Sequence, residues 1–215
     1  MRRTTFPFAL ALAGLLTLRG PLPAQVALGV KGGINVADVT SNQFGLGGVD
    51  RRTAPVGGAF LSVTGRGSVG FQAEVLYAQK GFSALVQGGT ATAKLAYIDI
   101  PLLVKVRLVG QEHRIRPSLL AGWFLGFEIG CSLSGALEGI GGEGDCDALL
   151  GRRGKLDGGF VLGAGTEIGL RDRTYLVFDA RYNSGQVNLN WERADDRVLS
   201  RVWSFTAGVG LLLGF

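Results

Sequence analysis

Beyond its first two dozen residues the chain has no apolar run long enough to cross a bilayer as a helix. The uncharged apolar stretch 117–127 is only 11 residues, interrupted by Gly122 and Gly126, whereas a helical span needs roughly 20. Histidine is nearly absent, with His113 the single one. It stands beside Glu112 in a short turn, with no Ser or Cys nucleophile placed near it, which speaks against a hydrolytic triad. Excess charge is also missing. The formal net charge is +5, but Arg2, Arg3 and Arg19 belong to a removable leader, which leaves 19 basic against 17 acidic residues. No Lys/Arg cluster stands out, so nucleic acid gains no support as a partner. No linker marks a second domain, and no repeat longer than a hairpin recurs.

Cysteine is scarce too. Cys131 and Cys146 are the only two, and both are expected in one glycine-rich loop. In an exported protein a disulfide between them is the first reading; closing such a loop stabilises by about 3 kcal/mol in the chain-entropy model. A metal site with Glu143, Asp145 and Asp147 is the alternative. The stretch lacks His and paired C-x-x-C spacing, so no metal is assigned. No cofactor motif holds either. Gly163-Ala-Gly165-Thr-Glu-Ile-Gly169 looks like a dinucleotide glycine fingerprint with one residue too many. It lies in a stretch of period two and opens no helix.

What is present is alternation. Arg2 and Arg3 open the chain, an apolar run 6–18 follows, and Pro21 to Gln25 resemble a signal-peptide cleavage region. Residues 1–24 are read as a secretory signal peptide and 25–215 as the mature domain. The last stretch, 201–215, puts Trp203, Phe205, Ala207, Val209, Leu211, Leu213 and Phe215 on one face. Ser204, Thr206, Gly208 and Gly210 fall on the other. A strand alternates its side chains across its two faces, so this one is greasy on one side and small or polar on the other. Its ending, Leu211, Leu213 and Phe215, resembles the terminal assembly signal of bacterial outer-membrane barrels. That resemblance implies contact with the barrel-assembly machinery.

The same period marks strands over 26–37, 53–63, 68–80, 93–108, 115–129, 156–170 and 174–183. With the terminal stretch they make eight. The connections read long, short, long, short, long, short, long, with 81–92 among the long ones. An even strand number with short turns at one end and long loops at the other is the pattern of an outer-membrane barrel. The predicted fold is an all-β, eight-stranded antiparallel up-and-down transmembrane β-barrel behind a signal peptide. Its lipid face contacts outer-membrane lipid, and both termini are expected in the periplasm. Pro101 in the fourth strand is expected at a bulge, because proline cannot donate to a ladder.

Charges in the strands fall on the non-greasy face. Lys31, Lys105, Arg107, Arg116 and Arg181 stand against Glu74, Asp99, Glu128, Glu167 and Asp179. An eight-stranded barrel is just wide enough to be filled by side chains, and buried charges have to be paired. These ten are therefore predicted to form a structural salt-bridge network plugging the lumen. Tyr77, Trp123, Phe127, Phe160, Tyr182 and Trp203 are placed in an outer interfacial girdle, and Phe71 and Phe215 in an inner one.

Several phrases resemble the PorT-like outer-membrane β-barrel family. They are Val30-Lys31-Gly32-Gly33-Ile34-Asn35, Gln72-Ala73-Glu74-Val75-Leu76-Tyr77-Ala78-Gln79-Lys80-Gly81, Tyr97-Ile98-Asp99-Ile100-Pro101-Leu102-Leu103-Val104-Lys105 and Asp179-Ala180-Arg181-Tyr182. The resemblance covers essentially the whole mature chain and implies an eight-stranded outer-membrane barrel. A founding member of that family is tied to protein secretion and to maturation of secreted proteases. The expected role is non-enzymatic: external loops that meet an unidentified extracellular or periplasmic partner or that support the envelope. A secretion-system accessory and a narrow pore are the alternatives.

Overall fold

The computed structural model describes residues 25–41, 49–50, 52–65, 67–86, 89–110, 112–135, 155–171, 173–187 and 198–213. The expected signal peptide, Cys146 and Phe215 lie outside the described residues. The strands are β1 Gln25–Ser41, β2 Val49–Asp50, β3 Arg52–Thr64, β4 Val69–Val86, β5 Gly89–Arg107, β6 Ile115–Gly135, β7 Leu156–Gly169, β8 Thr174–Gly185 and β9 Val198–Leu213. β2 is a two-residue piece that pairs with β4, as β3 does. Eight long strands remain, all in antiparallel pairs.

The sheet closes on itself. Each long strand pairs with its sequence neighbours, and β1 pairs with β9 from Val26↔Leu213 to Ser41↔Val198. The stagger can be followed one strand at a time. Val26 faces Val63, which faces Phe71, then Val104, Ala121, Leu162, Tyr182 and Trp203. Trp203 faces Val36, so one circuit returns to β1 ten residues further on. For eight strands at ordinary spacings, that stagger tilts the strands by about 40° from the barrel axis.

The faces are inverted relative to a soluble protein. Val30 is 64% exposed while its neighbour Lys31 is 5% exposed. Along β4, Phe71, Val75 and Tyr77 point outward, and Gln72, Glu74 and Leu76 are buried. On the outside, Trp123 lies 6.5 Å from Phe160, and Trp203 lies 5.1 Å from Tyr182 and 6.4 Å from Phe205. These rings form two groups, Trp123 with Phe160 and Trp203 with Tyr182 and Phe205, on the outer face.

Three local expectations need correction. The stretch 81–92 is not a long loop. β4 and β5 stay paired out to Val86↔Gly89, leaving only residues 87 and 88 between them. The ladder continues past the greasy segment in unchanged register, with Ser83 facing Thr92 and Ala84 facing Ala91; Gly81 within it has φ 147°, which L side chains rarely adopt. Cys131 is not in a loop either, because β6 runs to Gly135 and sets Cys131 opposite Leu95. Pro101 sits at no bulge. The β4–β5 register is the same on both sides of it, and the ladder omits Glu74 and Val75 where Pro101 has no N–H to offer. The bulge falls instead at Ala96/Tyr97 against β6, where Ile129 is the extra residue.

Candidate functional site

Buried charges in the lumen sort into three layers along the axis. The middle layer joins β1, β4 and β8. Lys31 Nζ donates to Glu74 Oε1 at 2.7 Å and to Asp179 Oδ2 at 2.9 Å. Arg181 donates to Glu74 through Nη1 and Nη2, each at 2.8 Å, and to Asp179 Oδ2 at 2.7 Å. Two cations meet two carboxylates, and charge balances.

The layer nearest the termini joins β5, β6 and β7. Lys105 Nζ donates to Glu167 Oε1. Arg107 Nη2 and Arg116 Nε both approach Glu167 Oε2 at 3.3 Å. Gln72 links the two layers: it accepts from Lys105 at 3.4 Å and donates to Glu74 at 2.5 Å. Here three cations share one carboxylate.

The layer nearest the loops joins β4, β5, β7 and β9. Lys80 Nζ lies 3.0 Å from Asp99 Oδ2 and 2.9 Å from Asp157 Oδ2. Ser200 Oγ donates to Asp157 at 3.0 Å, and the Gly158 amide donates to it at 2.8 Å. The Lys80 ammonium also lies over the rings of Tyr97 and Phe124, at 4.7 and 4.9 Å. One cation meets two carboxylates. The ion pairs thus hold excess cations toward the terminal end, and toward the loop end excess carboxylates, where the half-buried Arg52 also donates to the Lys80 carbonyl at 3.1 Å.

Nine of the ten charges expected in the lumen lie in these layers. Glu128 does not join them. It is half buried near the loop end and accepts from Tyr97 Oη at 3.4 Å. Lys80 and Asp157 are buried members that the sequence reading left out. Alternation put Lys80 on the inner face, but it stood at the end of its expected strand. Asp157 is the second residue of β7 and opens the strand directly after a long connection.

The filling is also less polar than expected. Phe60, Tyr175, Val177 and Ala27 pack together inside, as do Leu103, Phe124 and Val161. Glycine makes the room. A Cβ on Gly29 would lie 2.4 Å from the Phe60 ring, and one on Gly210 would lie 2.2 Å from the Tyr175 ring. The charges use the same device. Lys31 faces Gly58 and Gly208 across its two ladders, Arg181 faces Gly163, and Asp179 faces Gly165. The glycine run in β7 is therefore space for Arg181 and Asp179, not a phosphate loop.

His113 is exposed in its turn, with Nδ1 4.0 Å from Glu112 Oε1. Among the described residues no group of three His, Cys, Asp or Glu is arranged to hold a metal ion. Leu211 and Leu213 point outward on β9.

No curated protein sequence matches the chain. Among solved structures it is similar to the outer membrane protein OprG of Pseudomonas aeruginosa, with 12% identity and a TM-score of 0.53 over 90% of this chain and 98% of that one. It is also similar to outer membrane protein W of E. coli, with 12% identity and a TM-score of 0.50 over 90% of this chain and all of that one (100%). At such identity the likeness concerns the fold alone. The sequence pattern of the family described as "Outer membrane protein beta-barrel domain" matches residues 19–189. Closed sheet, inverted faces and family match agree: the chain belongs to the outer membrane protein beta-barrel domain family.

Proposed function

We propose that the protein is a non-enzymatic outer-membrane barrel with a sealed lumen, whose exposed loops meet a surface or envelope partner. The carrying observation is the Glu74–Arg181 pair, which spans the lumen in the middle layer with charged layers above and below it. An eight-stranded barrel filled in this way leaves no continuous water path. The ion pairs then serve structure, holding opposite walls at a fixed distance. Both termini and the turns beside them face the periplasm, and the connections at the opposite end, long except at 87–88, face outside, as is usual for such barrels. The Leu211, Leu213 and Phe215 ending engages the assembly machinery, and Cys131 pairs with Cys146.

Purified protein in planar bilayers tests the reading. The expected result is no stepwise conductance at moderate voltage. Reproducible unitary steps from the unmodified protein would establish a pore instead.

A further inference from the structure

The layer nearest the termini is not balanced. Lys105, Arg107 and Arg116 carry three positive charges, and Glu167 is the one carboxylate within ion-pair distance of them among the described residues. Burying unmatched charge is expensive, and guanidinium donors left without acceptors add to the cost. Arg107 is 5% exposed, and neither its Nε nor its Nη1 has a hydrogen-bond partner. Arg116 is 8% exposed, and its Nε reaches Glu167 only as a long ion pair. Its guanidinium lies 5.8 Å from the centroid of the Tyr175 ring, which backs it on one side. The middle-layer carboxylates, Glu74 and Asp179, already pair with Lys31 and Arg181.

We propose that the terminal mouth of the barrel binds one phosphate-like oxyanion between Arg107 and Arg116, with Lys105 behind them. Arginine suits this task because its planar fork matches two oxygens of a tetrahedral or planar oxyanion. The position suits it as well. Arg107 closes β5 and Arg116 is the second residue of β6, so both flank the 108–114 turn at the open end. Accommodating the anion requires the Arg107 side chain to turn from its long contact with Glu167 toward the mouth. Glu167 then keeps Lys105, and the layer falls from two excess positive charges toward neutrality. The oxyanion is either free in solution or the headgroup of an anionic phospholipid at the same end of the barrel.

The test uses the full mature chain, folded in zwitterionic detergent. Inorganic phosphate is titrated at constant ionic strength, with chloride as the balancing salt, and thermal unfolding is followed by intrinsic fluorescence. A saturable rise in the unfolding midpoint is expected, because a ligand bound only by the folded state stabilises it by mass action. Arg107→Met should weaken the apparent affinity roughly tenfold, the loss of one charge-assisted contact. Glu167→Gln removes the competing carboxylate and should tighten binding, which keeps the test open if the arginine variant folds poorly. The titration is then repeated in nanodiscs of phosphatidylcholine, with and without phosphatidylglycerol. Loss of the phosphate response only with phosphatidylglycerol assigns the site to a lipid headgroup; an unchanged response assigns it to a free anion. A midpoint that ignores phosphate in detergent and in phosphatidylcholine discs overturns the proposal, as does a response equal in wild type and both variants.

Discussion

Arg181 on β8 and Glu74 on β4 form two parallel hydrogen bonds, Nη1 to Oε2 and Nη2 to Oε1, each at 2.8 Å. Four steps around the sheet separate their strands in either direction, so the pair crosses the full width of the lumen. A bidentate arginine–carboxylate pair fixes orientation as well as distance. Both partners are almost wholly buried in a layer that Lys31 and Asp179 complete, so removing one of them leaves that layer with one unmatched charge.

Arg181→Met should therefore destabilise the barrel by about 3–5 kcal/mol, the usual cost of orphaning a buried partner. Adding Glu74→Met should recover a large part of that loss, because an apolar pair leaves no orphaned charge across the gap. Urea unfolding in micelles, read by band shift on unboiled gels, measures both.

Glycines facing charges should resist replacement. Gly208→Ala would put a Cβ 2.2 Å from the Val30 carbonyl oxygen and 2.7 Å from Lys31 Cβ, whereas a Cβ on Gly65 meets nothing within 4 Å. Gly208→Ala should cost about 1–3 kcal/mol, as overpacking does. Gly65→Ala should stay within about 0.5 kcal/mol of wild type, as surface changes do. The same unfolding assay separates them.

The outer face should reject charge according to depth. Val30→Arg, near the middle of β1, should cost about 2–4 kcal/mol, and Leu213→Arg, at the end of β9, about 0–1 kcal/mol. Folding yield into vesicles and unfolding midpoints report the difference. Equal penalties would mean that the face does not span a hydrocarbon layer.

Alternation carried most of the fold, because a lipid–lumen boundary repeats with period two in every strand. It placed Lys31, Glu74, Asp99, Lys105, Arg107, Arg116, Glu167, Asp179 and Arg181 inside. It failed at strand ends. Lys80 closed its expected strand and Asp157 stood second in its own, where alternation does not say whether a charge lies within the lumen or beyond its rim. Cys131 and residues 81–86 read as loop because the greasy face stops before the ladder does. Phe60 and Phe124 went unassigned because an aromatic in a barrel can face either way. What turns these two inward is local space, such as Gly29 beside Phe60, and that appears only once the register is known. The imbalance around Glu167 was hidden too: five charges against five looks neutral until height along the axis is resolved.

Orientation has a direct readout. In a background with Cys131 and Cys146 replaced by serine, Lys155→Cys should react with a membrane-impermeant maleimide on intact cells. Gly65→Cys should react only after the outer membrane is opened. The reverse pattern would place the termini outside.

The inverted faces are tested most directly by fluorescence quenching in a Trp191→Phe variant, which leaves Trp123 and Trp203, both outward-facing. In vesicles of lipids brominated along the acyl chain, emission should fall strongly, while aqueous iodide should have little effect. Strong iodide quenching with brominated lipid inert would show these rings in water and contradict a barrel whose apolar side faces hydrocarbon.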